Sequence, residues 1–246
     1  MIEQHLDIRT AAGDMQTFVV CPDEGGPFPV VLFYMDAPGK REELHDMARR
    51  IAAVGYFVVL PNLYYRRTAH YELPERTEEA MAVMFEHMHS LTNAGVVSDT
   101  AGLLAFLDTQ PLADATRMGA LGYCMSGPFV MAVAASYPTR ISAIASIYGA
   151  NLVTDRPDSA HLMANKIRCE SYFACAEIDR WAPRTLIDQL QTALVAGGTP
   201  HRIEWYDGVE HGFAFPKRGT IYNKAAAERH WTRLFDLFAR KLKRAH

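Results

Sequence analysis

The sequence predicts an α/β fold, a mostly parallel central sheet with helices on both faces. Apolar runs of strand length alternate with amphipathic segments of helix length almost throughout. Most of those strand-length runs are continuously apolar, the pattern of strands buried on both faces. With 246 residues, 49% of them hydrophobic, and no repeat, low-complexity tract or linker-like stretch, the chain reads as a single domain, 1–246, around one core.

The elements follow in order. "QHLDIRT" and "MQTFVVCP" alternate around "AAGD" and predict an antiparallel pair that opens the sheet. "PVVLFYM" (29–35) is a buried strand, followed by a helix over 40–55 in which Leu44, Met47, Ala48, Ile51 and Ala52 recur at helical spacing and Gly55 supplies the stop. A strand at 56–61 comes next. The interval 62–98 then breaks the rhythm with a loop and a Met-rich helix near 78–91; in an open α/β sheet such an excursion tends to cover the crevice at the strand ends. Strands at 117–122, 141–149, 169–176 and 201–207 and helices at 128–137, 182–198 and 224–242 complete the alternation.

Charge and composition exclude several classes of function. A net charge of −3 and a pI near 6.4, with no Lys or Arg run, leave no footprint for nucleic acid. The basic end "ARKLKRAH" suits a helix C-terminus, where the dipole favours cations. The start "MIEQHLDIRTAAGDMQ" has neither a positive leader nor an apolar stretch, so a cytoplasmic location without membrane attachment is expected. Cys21, Cys124, Cys169 and Cys175 are too few for a disulfide framework and are not spaced as a zinc site, so reduced thiols, no metal and no cofactor are expected.

"GALGYCMSG" (119–127) crowds small residues around one thiol where a strand must end and a helix begin. A nucleophile on a strained strand-to-helix turn needs small flanks two residues to either side, and Gly122 and Ser126 hold those places around Cys124. The helix N-terminus would favour thiolate there. A lone cysteine is equally well a core residue. What tips the balance is that an acid and a histidine follow in the order such sites require: Asp179 beyond the strand "CESYFACA", and His211 in a glycine-flanked loop beyond "HRIEWYD". Taken singly, Asp179 could cap the next helix and His211 could be a solvated ring. Ser126 as nucleophile does not fit the frame, because Cys124 and Pro128 flank it.

With these residues in place, the sequence resembles the dienelactone hydrolase family, carboxymethylenebutenolidase-like members of the α/β-hydrolase fold. The resemblance runs from about Pro29 to Leu242 through "GYFVVLPNLYYR", "GYCMSG", "EIDRWAP" and "DGVEHGFAFP". It implies a cysteine hydrolase that cleaves an ester or lactone through an acyl-thioester. Cys124 would be the nucleophile, His211 the base and Asp179 its orienting acid, with the backbone N–H groups of Met125 and Ala37 as oxyanion hole. It also implies an acid meeting the thiol, matched here by Asp36. The family's usual residue is glutamate, so Asp36 has roughly 1.5 Å less reach. Met81 and Phe215 stand where the family has two arginines for a substrate carboxylate. Arg66, Arg67, Arg76, Lys217 or Arg218 could compensate, but a hydrophobic pocket of Tyr64, Met81, Phe85, Met88, Trp181 and Phe213 is expected, with a substrate other than dienelactone. The partner is a small-molecule ester or lactone, and the chain a monomer or small homo-oligomer. A thioester, amide or carbon–carbon bond as target stays open, as does a noncatalytic ligand-binding or redox-sensing member of the fold.

Overall fold

The computed structural model describes residues 1–243, so the last three residues of the basic end lie outside the described residues. The chain divides into two compact units, with the boundary between Met118 and Gly119.

The first unit opens with β1 (Ile2–Thr10) and β2 (Gly13–Cys21), paired antiparallel from Ile2 opposite Cys21 to Thr10 opposite Gly13. β3 (Phe28–Tyr34) and β4 (Phe57–Pro61) pair in parallel, and β4 also pairs antiparallel with β2, giving the order β1-β2-β4-β3. Between them, α1 (Glu42–Ala52) buries the predicted stripe of Leu44, Met47, Ala48, Ile51 and Ala52. Beyond β4, Asn62 folds the chain back on itself. Its Nδ2 donates to the carbonyls of Thr68 and Ala69, both at 3.0 Å, and its Oδ1 accepts from the Tyr64 N–H. The Met-rich helix is α2 (Glu78–His89), capped by Thr77, whose hydroxyl accepts from the Ala80 N–H.

One helix was absent from the sequence reading. α3 (Asn93–Leu107) starts inside the supposed excursion, with Thr92 as its cap. Beyond its first residue, its buried stripe is Val96, Asp99, Thr100, Leu103, Leu104 and Leu107. Two of those positions are polar, which blurs the helical period. Asp99 is satisfied by Arg66 (2.7 and 2.6 Å) and the Tyr65 hydroxyl (2.7 Å), and Thr100 bonds Tyr34 at 2.7 Å. The next strand, β5 (Ala113–Tyr123), is longer than predicted and carries the chain into the second unit.

There the sequence alternates as read: α4 (Gly127–Ser136), β6 (Ile141–Ile147), β7 (Glu170–Ile178), α5 (Arg184–Ala196), β8 (His201–Glu210) and α6 (Lys224–Leu242). β6 pairs in parallel with β7, and β7 with β8, so three strands deliver their C-terminal ends to the same side. The order is β5-β6-β7-β8. Among the described residues no helix is long and apolar enough to cross a membrane.

Candidate active site

β5 ends at Tyr123, a single 3-10 turn covers Cys124–Ser126, and α4 starts at Gly127. In that turn Cys124 has φ +54°, a left-handed conformation that a side chain disfavours and that costs about 1–3 kcal/mol. The chain packs closely on either side of it. A Cβ on Gly122 would lie 2.4 Å from the Ser126 carbonyl oxygen, and one on Gly127 would lie 2.5 Å from the Gly149 Cα. The Cys124 carbonyl accepts from the Ala150 N–H at 2.8 Å, so the turn is tied to the chain leaving β6. Ser126 is fully buried, whereas Cys124 is partly exposed. Cys21, Cys169 and Cys175 are buried, and burial pushes the last two thiols up to about 12.

Asp179 and His211 extend from the ends of β7 and β8. The His211 N–H donates to the Ile178 carbonyl, which holds the two loops side by side. Asp179 Oδ2 receives His211 Nδ1 at 2.7 Å, and Oδ1 accepts the Trp181 N–H at 2.8 Å. Asp179 therefore does not cap α5, which follows Pro183 without any side-chain cap. With Nδ1 carrying the proton toward the carboxylate, Nε2 is left as the basic nitrogen. Nε2 is buried and makes no hydrogen bond of full geometry, but its electrostatic partner is Cys124. Burial works to lower the pKa of His211. The Cys124 charge and the hydrogen bond to Asp179 outweigh it and raise the value to about 10. The ring is braced by the edge of Tyr148, 5.0 Å away, whose own φ is +37°.

The structure thus brings Cys124, Asp179 and His211 together within the second unit. Met125, next to the thiol, is buried at the start of the turn. Trp181 is half-buried under the Arg180 guanidinium, 4.8 Å from the ring centre. Phe213 is fully buried, stacked on Tyr206 and edge-on to Tyr148. Phe215 is buried as well.

In the first unit, Asp36 follows β3 and is buried. Its carboxylate meets Arg41, with Nη1 donating to Oδ1 at 2.5 Å and Nη2 to Oδ2 at 3.3 Å. Arg41 also donates to Glu43 at 2.9 Å and to the Gly39 carbonyl at 3.1 Å. Burial opposes the guanidinium charge, yet the two carboxylates offset this and hold its pKa above the usual arginine value. Sequence reasoning missed Arg41; the one available signal was an arginine at the N-cap of α1, a position that small polar residues normally take. The Ala37 carbonyl accepts from the buried Tyr64 hydroxyl at 2.9 Å. Tyr64 packs with Tyr71 and His87, while Met81, Phe85 and Met88 lie half-buried along α2 around the buried Met84. Among the cations suggested as compensators, Arg66 is engaged by Asp99, and Arg67 by His87 and Glu86. Among the described residues no group of three or more His, Cys, Asp or Glu could hold a metal ion.

Comparison with known proteins agrees with this architecture. The family model described as the dienelactone hydrolase family matches residues 15–242. A protein of Synechocystis sp. that carries the provisional name carboxymethylenebutenolidase is 28% identical over 89% of this chain and 88% of its own length. The carboxymethylenebutenolidase of Rhodococcus opacus is 24% identical over 97% of this chain and 92% of its own. A crystal structure from Klebsiella pneumoniae, provisionally named a dienelactone hydrolase, superposes with a TM-score of 0.86 at 22% identity, covering 97% of this chain and 98% of that one. At that identity the likeness establishes the α/β-hydrolase fold.

Proposed function

Because this chain belongs to the dienelactone hydrolase family, and so to the ester and lactone hydrolases, we propose that it works through a Cys124 nucleophile with His211 as base and Asp179 as orienting acid. His211 Nε2 takes the Sγ proton, and the thiolate adds to the carbonyl carbon. The developing oxyanion is met by the N–H groups of Met125 and Ala37, each such donor being worth about 3 kcal/mol. Collapse expels the alkoxide, which takes its proton from His211 Nε2, and leaves an acyl-thioester on Cys124. Water then gives a proton to Nε2 and attacks the thioester, releasing the acid and restoring the thiol. Asp179 keeps Nδ1 protonated in every step, so Nε2 alone shuttles. No metal or organic cofactor enters.

The observation that carries this reading is Cys124 at φ +54°, an exposed strain in a turn otherwise closed by glycines. The His211 pKa near 10 supports Nε2 as the acceptor of the Sγ proton. Asp36 is proposed to face the thiol, with its carboxylate already held by Arg41. The uncharged Met81 and Phe215, with Arg66 and Arg67 engaged elsewhere, support a hydrophobic ester or lactone substrate and not dienelactone itself. Tyr64, Met81, Phe85, Met88, Trp181 and Phe213 are proposed to line its pocket. A single domain, a cytoplasmic location and a monomer or small homo-oligomer complete the proposal.

The test is turnover of p-nitrophenyl acetate and a lactone panel, with intact-mass detection of the acyl adduct. Cys124→Ala and His211→Ala should each lower kcat by about a thousandfold or more and abolish the adduct. Wild-type turnover in Cys124→Ala would place the nucleophile elsewhere.

A further inference from the structure

Asp179 and His211 meet because β7 and β8 change register just before their ends. Over most of their length the two strands pair at a constant offset, from Ser171 beside His201 to Ala176 beside Tyr206. The next pair is Ile178 beside Glu210, so β8 uses four residues where β7 uses two. Had the first offset continued, Asp179 would stand beside Val209, and His211 beside Trp181. The second offset, carried one residue on, sets Asp179 beside His211. There the His211 N–H reaches the Ile178 carbonyl at 3.2 Å, and the ring reaches Asp179 Oδ2 at 2.7 Å. The acid–base pair therefore depends on a bulge in β8.

The bulge is held on both sides. Gly208 has φ +67°, and a Cβ there would meet nothing within 4 Å, so glycine serves the backbone turn alone. Val209 is buried and anchors the inner side. On the outer side the carboxylate of Glu177, the β7 residue that faces the inserted stretch, accepts the Gly208 N–H at 2.6 Å. A bulge interrupts the ladder, and here a side chain accepts a backbone N–H across the interruption. A charge-assisted bond of this kind is stronger than a neutral one. Glu177 and Gly208 are both exposed, so burial does not explain an acid at position 177. Side chains alternate along a strand, so a slip of one residue in the bulge would turn the end of β8, and the loop that bears His211, toward the other face.

We propose that Glu177 is a positioning residue for the acid–base pair: its carboxylate clamps the β8 bulge through the Gly208 N–H and so keeps His211 in register with Asp179. The consequence for catalysis rests on the reading of His211 as base given above. The hold on the register does not.

The test follows the proton on His211 Nδ1 by NMR in the full-length protein, its resonance identified by its absence in His211→Ala, together with turnover of p-nitrophenyl acetate. In Glu177→Ala that proton should exchange with water about tenfold faster, and kcat and kcat/KM should fall together by about tenfold, as for a change confined to the geometry of acid and base. Glu177→Gln, whose amide oxygen still accepts the Gly208 N–H, should recover most of both. Amide exchange in β6 should be the same in all three proteins. Wild-type exchange and turnover in Glu177→Ala, an equal loss in Glu177→Gln, or faster exchange shared by the β6 amides would each overturn the proposal. A wild type without esterase turnover whose Nδ1 proton still responds to Glu177→Ala would break the reading of the active site and uphold the positioning role.

Discussion

Two turns follow sheet strands in this chain, and they are held in opposite ways. The turn after β5 is held by shape: Cys124 sits at φ +54° because Gly122 and Gly127 allow backbones to approach where any Cβ would collide. The turn after β3 is held by charge, with Arg41 gripping Asp36, Glu43 and the Gly39 carbonyl in a buried cluster. Shape tolerates changes of pH and fails with one added methyl group. A charge cluster tolerates small changes of volume and fails when one partner is neutralised. The same fold therefore presents one strand end that responds to sterics and another that responds to electrostatics.

The largest expected effect is on the charged turn. Arg41→Met leaves Asp36 and Glu43 buried without their cation and should destabilise by about 3–5 kcal/mol in urea unfolding. A loss under about 1 kcal/mol would mean that the cluster is not what holds the turn. Next comes Gly122→Ala, expected to cost about 1–3 kcal/mol while removing most esterase activity, because the Ser126 carbonyl has to move. Retained activity would show that the elbow is softer than its geometry implies. Cys124→Gly sharpens the contrast: inactive, yet more stable than Cys124→Ala by about 1 kcal/mol, since glycine takes a positive φ without strain.

The smallest effect concerns protons. The imidazole resonances of His211 should titrate with a midpoint near 10 in the wild type and at lower pH in Cys124→Ala, where burial is no longer opposed by the neighbouring charge. A pKa raised on folding stabilises the native state fully below about 6.5, and that contribution is lost as pH rises through about 10. Stability that climbs between pH 7 and 10 in the wild type and not in His211→Ala would contradict this assignment.

The steric turn was legible in the sequence because its cause is local: glycines and a serine within three residues of Cys124. Asp179 and His211 were legible for the same reason, each lying just past an apolar run. The charged turn was not, because an arginine five residues after an aspartate reads as an ordinary helix start, and only the folded chain shows its side chain turned back to Asp36. α3 escaped for a related reason. Its core stripe includes Asp99 and Thr100, whose partners Arg66 and Tyr34 lie 33 and 66 residues away. Buried polar positions hide a helix from periodicity until their distant partners are known.

Asn62 has a consequence for how such a chain can change over generations. By closing 62–69 into a loop with three side-chain hydrogen bonds, it fixes the path off β4 before α2 begins. The length and composition of α2 can then drift without altering the strand end from which it departs. One amide thereby separates the part of the molecule open to variation from the part that must stay as it is.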